Sequence, residues 1–394
     1  MKILVISFYY SPDLSAGSFR TTALVKALLE GLPEDAHIEV ITTLPNRYSS
    51  FSNEAAEVEE LPQLTIRRIK LPTHNSGMVD QSKAFVTYAY KVLKLIRFGE
   101  YHLVYGTSSR LMTATLSAYV ARKKRLPLYL DIRDIFVDTI KDVLPRTMVI
   151  PAQLFFSLVE QWTISRANKV NLVSRGFEEY FTSRYPKQNY SYYTNGIDDE
   201  FIFAANAGTG CPSRPGQPVT VLYAGNIGEG QGLHAILPEL AKRLEGQVRF
   251  HVIGDGGRKD RLESRLRERG CTNVEIFSPI KRSELLQEYQ RADVLFLHLN
   301  DYPAFKKVLP SKLFEYAAMG KPIWAGVSGY AAEFVRAEIK NAAVFPPCDV
   351  DEAVHVFGSL TLGQVDRTGF REKFARKNVV RKMAMDICSV ISDG

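Results

Sequence analysis

Residues 223–233 read Tyr223-Ala224-Gly225-Asn226-Ile227-Gly228-Glu229-Gly230-Gln231-Gly232-Leu233. The stretch follows an apolar, β-branched run at 219–224 and precedes a helical pattern at 233–244. A strand that ends in a glycine-rich turn and passes straight into a helix is the start of a parallel α/β unit. So many glycines in one turn suit a nest of backbone N–H groups around a phosphate. A second turn, Val252-Ile253-Gly254-Asp255-Gly256-Gly257, closes the next apolar run at 248–253. Open α/β sheets take their ligands beyond the carboxyl ends of their strands, and both turns belong there.

The same alternation runs along the whole chain. Strands are expected at 3–8, 38–42, 64–69, 103–106, 128–131 and 170–173, then at 219–224, 248–253, 274–277, 294–297, 322–324 and 343–345. Helices are expected at 21–29, 81–98, 111–124 and 152–165, then at 233–244, 258–269, 283–292 and 312–318. Continuously apolar strands separated by helices indicate parallel sheets covered on both faces. The fold class is therefore α/β, with two doubly wound domains. The stretch 204–218 contains Gly208, Gly210, Pro212, Pro215, Gly216 and Pro218, the densest punctuation in the chain. It divides an N-terminal domain (1–203) from a C-terminal one (219–365), with 204–218 as hinge. Residues 366–394 read as a basic helix that crosses back to the first domain, with Arg371, Lys373, Arg376, Lys377, Arg381 and Lys382 on it.

Composition agrees with this organisation. The 394 residues are 45% hydrophobic and 24% charged, which excludes disorder, collagen-like repeats and low-complexity scaffolds. A net charge of +7 fits phosphate-bearing ligands or an anionic membrane surface without selecting either. The basic residues are dispersed, and no groove-reading or base-stacking motif points to nucleic acid. Cys211, Cys271, Cys348 and Cys388 are too far apart for zinc spacing and read as free thiols of a reducing, cytoplasmic compartment. The apolar start lacks a basic region and stops at Pro12 and Asp13, so it reads as a core strand and not a signal peptide. No apolar run reaches the roughly 18 residues of a membrane span.

Three further segments offer chemistry. Tyr10-Ser11-Pro12-Asp13-Leu14-Ser15-Ala16-Gly17-Ser18-Phe19-Arg20 joins the first strand to a helix N-terminus through small residues, an anion or polar-ligand site in which Gly17 permits close approach. It is not the G-x-G-x-x-G dinucleotide pattern. In Val308-Leu309-Pro310-Ser311-Lys312-Leu313-Phe314-Glu315-Tyr316, Ser311 is a helix cap, Lys312 a charge for phosphate, and Glu315 a carboxylate one turn on, suited to paired sugar hydroxyls or to a local Lys–Glu pair. Asp349-Val350-Asp351 has a spacing used elsewhere for manganese, but its place before a helical run makes Asp349 an N-cap. No metal is expected.

Taken together, these segments resemble the retaining glycosyltransferases of family 4, with the two-domain GT-B architecture. The likeness is greatest to bacterial O-antigen and capsule aminosugar transferases of the N-acetyl-L-fucosamine type. It is carried by 10–20, Thr42-Thr43-Leu44-Pro45-Asn46-Arg47-Tyr48, Asp131-Ile132-Arg133-Asp134, Thr194-Asn195-Gly196-Ile197-Asp198, 224–233, Gly254-Asp255-Gly256, Arg291-Ala292-Asp293 and 310–316. The resemblance implies transfer of a sugar from a UDP-sugar to a lipid-linked or saccharide acceptor, without metal or other cofactor. It makes Glu315 the ribose-binding second Glu of an E-x7-E pattern whose first Glu is here Lys307. Asn226 and Gln231 stand where many relatives carry Arg and Lys, so Lys312 and the Ser311 and Lys312 amides would neutralise the diphosphate. Gly225, Gly228, Gly254, Asp255, Gly256, Leu309 and Pro310 would line the donor, with Pro279 and Ile280 beside its base. Gly17 and Arg20 would border the donor phosphate and the acceptor. Asp134 would orient or deprotonate the acceptor hydroxyl. Basic and apolar residues at 81–98, 122–125 and 148–156 suit peripheral attachment to anionic lipid. A sugar-nucleotide 2-epimerase of the same architecture and a non-catalytic sugar-nucleotide-binding module are the alternatives.

Overall fold

The computed structural model describes residues 1–13, 15–45, 55–72, 78–108, 111–143, 146–206 and 216–392. Contacts divide the chain into two compact units, Met1–Asn195 with Arg376–Gly394, and Gly196–Ala375. In chain order the first unit holds β1 (Lys2–Ile6), α1 (Ala16–Gly31), β2 (His37–Thr43), β3 (Val58–Leu61), β4 (Leu64–Ile69), α2 (Met78–Leu95), β5 (Leu103–Thr107), α3 (Leu111–Lys124), β6 (Leu128–Ile132), α4 (Phe136–Val143), α5 (Arg146–Ile164), β7 (Lys169–Leu172), α6 (Glu178–Arg184) and β8 (Tyr190–Ser191). The second holds α7 (Asp199–Asn206), β9 (Val219–Ala224), α8 (Leu233–Arg243), β10 (Val248–Ile253), α9 (Lys259–Glu268), β11 (Val274–Phe277), α10 (Arg282–Arg291), β12 (Val294–His298), α11 (Lys312–Ala318), β13 (Ile323–Gly326), α12 (Tyr330–Glu338), β14 (Ala342–Phe345), α13 (Val350–Phe357) and α14 (Thr368–Phe374). The chain then re-enters the first unit as α15 (Arg376–Ser392).

Among the described residues the first sheet runs β3-β4-β2-β1-β5-β6-β7-β8 and the second β11-β10-β9-β12-β13-β14. Every pairing is parallel except β3 with β4. Both sheets begin at an inner strand, build outward one way, then return and build the other way. This is the doubly wound order, and its switch points lie between β1 and β5 and between β9 and β12. The expected α/β class with two Rossmann-like parallel sheets is the one observed.

Departures from expectation have local causes. Helix α1 begins at Ala16, ahead of the expected 21, because Ser15 caps it by accepting from the Ser18 N–H at 3.1 Å. Edge strand β3 carries two glutamates and is largely exposed, so it lacks the apolar signature of an inner strand. The expected single helix over 366–394 is two helices. The chain turns at Ala375, which bridges Ile197, while the Ile197 N–H donates to Phe374 O. Phe370 and Phe374 of α14 pack on Phe314 and Phe334 in the second unit. Met383, Ala384 and Ile387 of α15 join Leu24, Val25 and Leu28 of α1 in the first. Thus the boundary falls between Asn195 and Gly196, ahead of the expected hinge at 204–218. The first hinge residues lie in α7, and 207–215 lie outside the described residues.

Candidate functional site

The glycine turns meet at the carboxyl ends of β9 and β10, beside the switch point of the second sheet. The Gly225 N–H donates to Ile253 O at 2.8 Å and the Ile227 N–H to Asp255 O at 2.8 Å, so the turns after β9 and β10 lie backbone against backbone. Two glycines permit this. A Cβ on Gly254 (φ +157°) would stand 1.8 Å from Gly225 O, and one on Gly256 (φ +154°) 2.6 Å from Asn226 Oδ1. Asn226 Nδ2 donates to Gln231 Oε1 at 2.9 Å, closing the turn over Gly228.

Helix α11 brings the third segment to the same place. Tyr316, fully buried, accepts the Ala224 N–H at 3.1 Å and so ties the helix to the end of β9. At the far end, Arg367 donates to Ala317 O at 3.2 Å and Arg371 to Ala318 O at 3.4 Å, placing cations on the negative end of the helix. Lys312 then lies directly over Gly225, where a Cβ would sit 1.8 Å from its Nζ. A lysine in the first turn of a helix opposes the helix dipole by about 0.3–1 kcal/mol. An anion held between Lys312 and the helix end would offset that term, each charge-assisted hydrogen bond contributing about 1.5–3 kcal/mol. Glu315, one turn on, accepts from Tyr289 Oη at 3.3 Å, with the Arg282 guanidinium close enough for its charge to be felt. Ser311 departs from the expected cap: its backbone is already helical and its side chain makes no capping bond.

The remaining expected donor residues are less closely joined. Asp255 is exposed and its carboxylate accepts its neighbour's Gly256 N–H at 2.8 Å. Leu309 is a core residue and Pro310 is half-buried beside it. Pro279, after β11, is exposed, whereas Ile280 packs against the core.

Several residues that support this site carry no sequence signature. His298, the last residue of β12, is wholly buried under the glycine loop. Its Nδ1 is 2.7 Å from Gln231 O and its Nε2 3.0 Å from the Cys348 N–H. A carbonyl only accepts and an amide only donates, so the partners dictate a neutral ring with the proton on Nδ1. Burial pushes its pKa down to about 4. The ring therefore bolts the glycine loop to the turn after β14. Glu229 is held by Tyr302 Oη at 2.6 Å and by Arg258, and the Tyr302 hydrogen bond, followed by Arg258, keeps its carboxyl below the ordinary value. A polar residue closing an apolar strand was the one available signal for His298.

In the first unit, Gly17 is in the opening turn of α1, as expected, and Asp134 is exposed after β6. Arg20 requires correction as a phosphate ligand. It is 1% exposed, and its guanidinium donates to both carboxylate oxygens of Asp131 (2.7 and 3.1 Å) and to Thr194 O and Tyr193 O. Its donors are spent inside the protein. A cavity of about 460 Å³ opens beside the β1–α1 loop, lined by Tyr10, Ser11, Thr22, Glu59 and Arg68 among others. Of the 42–48 segment, 46–48 lie outside the described residues. Asp349 caps α13 by accepting the Glu352 N–H at 2.9 Å, and no metal-holding group of three His, Cys, Asp or Glu occurs among the described residues.

Residues 212–377 match the family model described as glycosyl transferases group 1. A curated protein of Escherichia coli (strain K12), named "Putative colanic acid biosynthesis glycosyl transferase WcaI", is 36% identical over 107 residues, 27% of this chain and 26% of that protein. The match thus spans about a quarter of that relative's length. Among solved structures, a sucrose-phosphate synthase from Thermosynechococcus elongatus aligns over 100% of this chain and 97% of its own, at 16% identity and a TM-score of 0.65. Anabaena HepE in complex with UDP aligns over 100% and 98%, at 15% identity and a TM-score of 0.60. These structural neighbours share the GT-B fold with this chain.

Proposed function

We propose that this chain is a retaining, metal-independent glycosyltransferase that moves an N-acetylated aminosugar from a UDP-sugar to a lipid-linked or saccharide acceptor in bacterial surface polysaccharide synthesis. The observation that carries the reading is Lys312 lying over Gly225 at the switch point, a cation set on bare backbone where a diphosphate would sit. The group 1 match over 212–377 and the colanic acid relative support both the reaction class and the setting. In the reaction the bond from the sugar's anomeric carbon to the diphosphate oxygen breaks, and the acceptor oxygen bonds to the same face. The acceptor proton leaves with the diphosphate, and Asp134 orients the incoming hydroxyl. Lys312 and the α11 amides stabilise the charge that develops on the departing nucleotide, and Glu315 holds the ribose hydroxyls.

Association with anionic lipid belongs to this reading. On α5, Ile150, Leu154, Phe155 and Leu158 form a helical stripe, 77%, 65%, 58% and 58% exposed. Helix α3 contacts both α5 and α2, and these two neighbours of the stripe expose Lys83, Tyr90, Lys91 and Lys94 on α2 and Arg122 and Lys123 on α3. No described helix is long and apolar enough to cross a membrane.

The test is a panel of UDP-sugars with a prenyl-diphosphate-linked acceptor, the product's anomeric configuration being read by NMR. Retained configuration, with turnover lowered about 10²-fold in Lys312→Ala or Asp134→Asn, is the expected outcome. Inversion at the donor's C2 without transfer would identify the 2-epimerase. Binding without either reaction would leave a binding module.

A further inference from the structure

Glu315 is presented by α11, and a second helix reaches its carboxylate. Tyr289 of α10 donates its hydroxyl to Glu315 Oε2 at 3.3 Å. The tyrosine is wholly buried, and its ring is held from two sides. Phe201 of α7 stacks on it with ring centres 6.0 Å apart, and Tyr316 of α11 meets it edge to face at 5.3 Å and 89°. These are the stacked and T-shaped arrangements that aromatic rings favour. The place of the hydroxyl is therefore set by packing. The backbone behind Glu315 is held as well, because Tyr316 accepts the Ala224 N–H at 3.1 Å.

The sense of the hydrogen bond is equally fixed. Burial, and after it the Glu315 charge, push the Tyr289 pKa well above the ordinary tyrosine range, so the phenol keeps its proton. An ionised carboxylate only accepts, so the hydroxyl donates. Arg282, at the start of α10, adds charge to the same cluster. Its guanidinium pairs with Asp198 and Glu200 and lies 4.9 Å from the centre of the Phe201 ring. Burial works against its charge, but Asp198 and then Glu315 hold its pKa above the ordinary value. A nearby charge attracts a carboxylate without choosing its plane, whereas a hydroxyl donates along one line. A glutamate on a helix has several free torsions, and a ligand that needs two parallel hydrogen bonds must freeze them. A carboxylate already held by a buried hydroxyl meets such a ligand with that ordering done.

We propose that Tyr289 is a positioning residue that orients the Glu315 carboxylate toward the neighbouring 2′ and 3′ hydroxyls of the nucleotide's ribose, and so sets the preference for a ribose over a sugar that lacks them. The proposal rests on the reading that Glu315 holds those hydroxyls. Isothermal titration of the full chain with UDP and 2′,3′-dideoxy-UDP tests it, using wild type, Tyr289→Phe, Glu315→Ala and the double variant.

Tyr289→Phe keeps the ring and removes one oxygen. It is expected to weaken UDP about fivefold and to leave the dideoxy nucleotide within about twofold of wild type. In the Glu315→Ala background the same change is expected to move UDP by less than about twofold, because the two side chains act as one unit. Equal weakening of both nucleotides by Tyr289→Phe overturns the proposal, since loss of packing alone would do that. Unchanged UDP binding overturns it too, as does an undiminished loss in the Glu315→Ala background. Failure of the ribose reading is seen separately: Glu315→Ala then keeps the wild-type ratio of UDP to dideoxy affinity, and the proposal falls with it. If Glu315→Ala erases that ratio and Tyr289→Phe leaves it unmoved, the ribose reading stands and the positioning role alone is overturned.

Discussion

His298 should make the second unit acid-sensitive in a defined window. The ring is wholly buried, and its single proton is dictated by Gln231 O on one side and the Cys348 N–H on the other. Charging it requires a second proton on Nε2, where the Cys348 amide already points its own hydrogen. Burial places the folded pKa near 4, against about 6.5 in the unfolded chain. Above pH 6.5 both states are neutral and pH has no effect through this residue. As pH falls, the unfolded state takes up the proton first, so stability is lost from about 6.5 downward and the loss levels off below the folded pKa. The linkage relation makes the loss about 2 kcal/mol at pH 5 and about 3 kcal/mol at pH 4. The assay is urea unfolding of wild type and His298→Gln between pH 7.5 and 4, followed by tryptophan fluorescence from Trp324, whose ring lies within the second unit's core. The glutamine variant should be less stable at neutral pH but lose about 2 kcal/mol less than wild type on going to pH 5. Parallel pH dependences, or an NMR titration midpoint for His298 near 6.5, would refute the reasoning. UDP affinity of the folded protein should stay level through most of this window and fall only as the pH approaches 4, where the ring that holds the Gln231 loop takes up its own proton.

Three other outcomes are expected. Gly225→Ala places a methyl group on Lys312 Nζ at a backbone with φ +152°, so calorimetric UDP affinity should drop at least about tenfold while α11 stays folded. Asp131→Asn leaves Arg20 buried opposite a neutral amide and should cost the first unit about 3–5 kcal/mol in chemical denaturation; a change under 1 kcal/mol would show that the pair is dispensable. Leu154→Ser with Phe155→Ser should abolish co-sedimentation with phosphatidylglycerol vesicles without changing the melting temperature, and unaltered sedimentation would remove α5 from the lipid contact.

Much of the architecture was legible because its signals are local. Strands β4, β9, β10 and β11 and helices α3 and α11 occur at the bounds that apolar runs and glycine punctuation indicate. The glycine turns after β9 and β10 were legible for the same reason. What stayed hidden depended on partners distant in the chain. Arg20 reads as a ligand residue at a helix start, until Asp131 takes its donors. The basic pattern after 366 reads as one helix, until Ile197 bridges Ala375 and divides it between two units.

The order of residues determined by itself the α/β class, the two sheets and the glycine-lined edge, since each follows from side-chain periodicity and from backbone that lacks Cβ atoms. Only the tertiary structure decided which charged groups are spent in the interior and where the others are carried. Arg20 is saturated, and Lys312 is laid over Gly225. A charge's role depends on its distance to opposite charge and on its loss of water, and neither quantity exists until the chain has closed on itself.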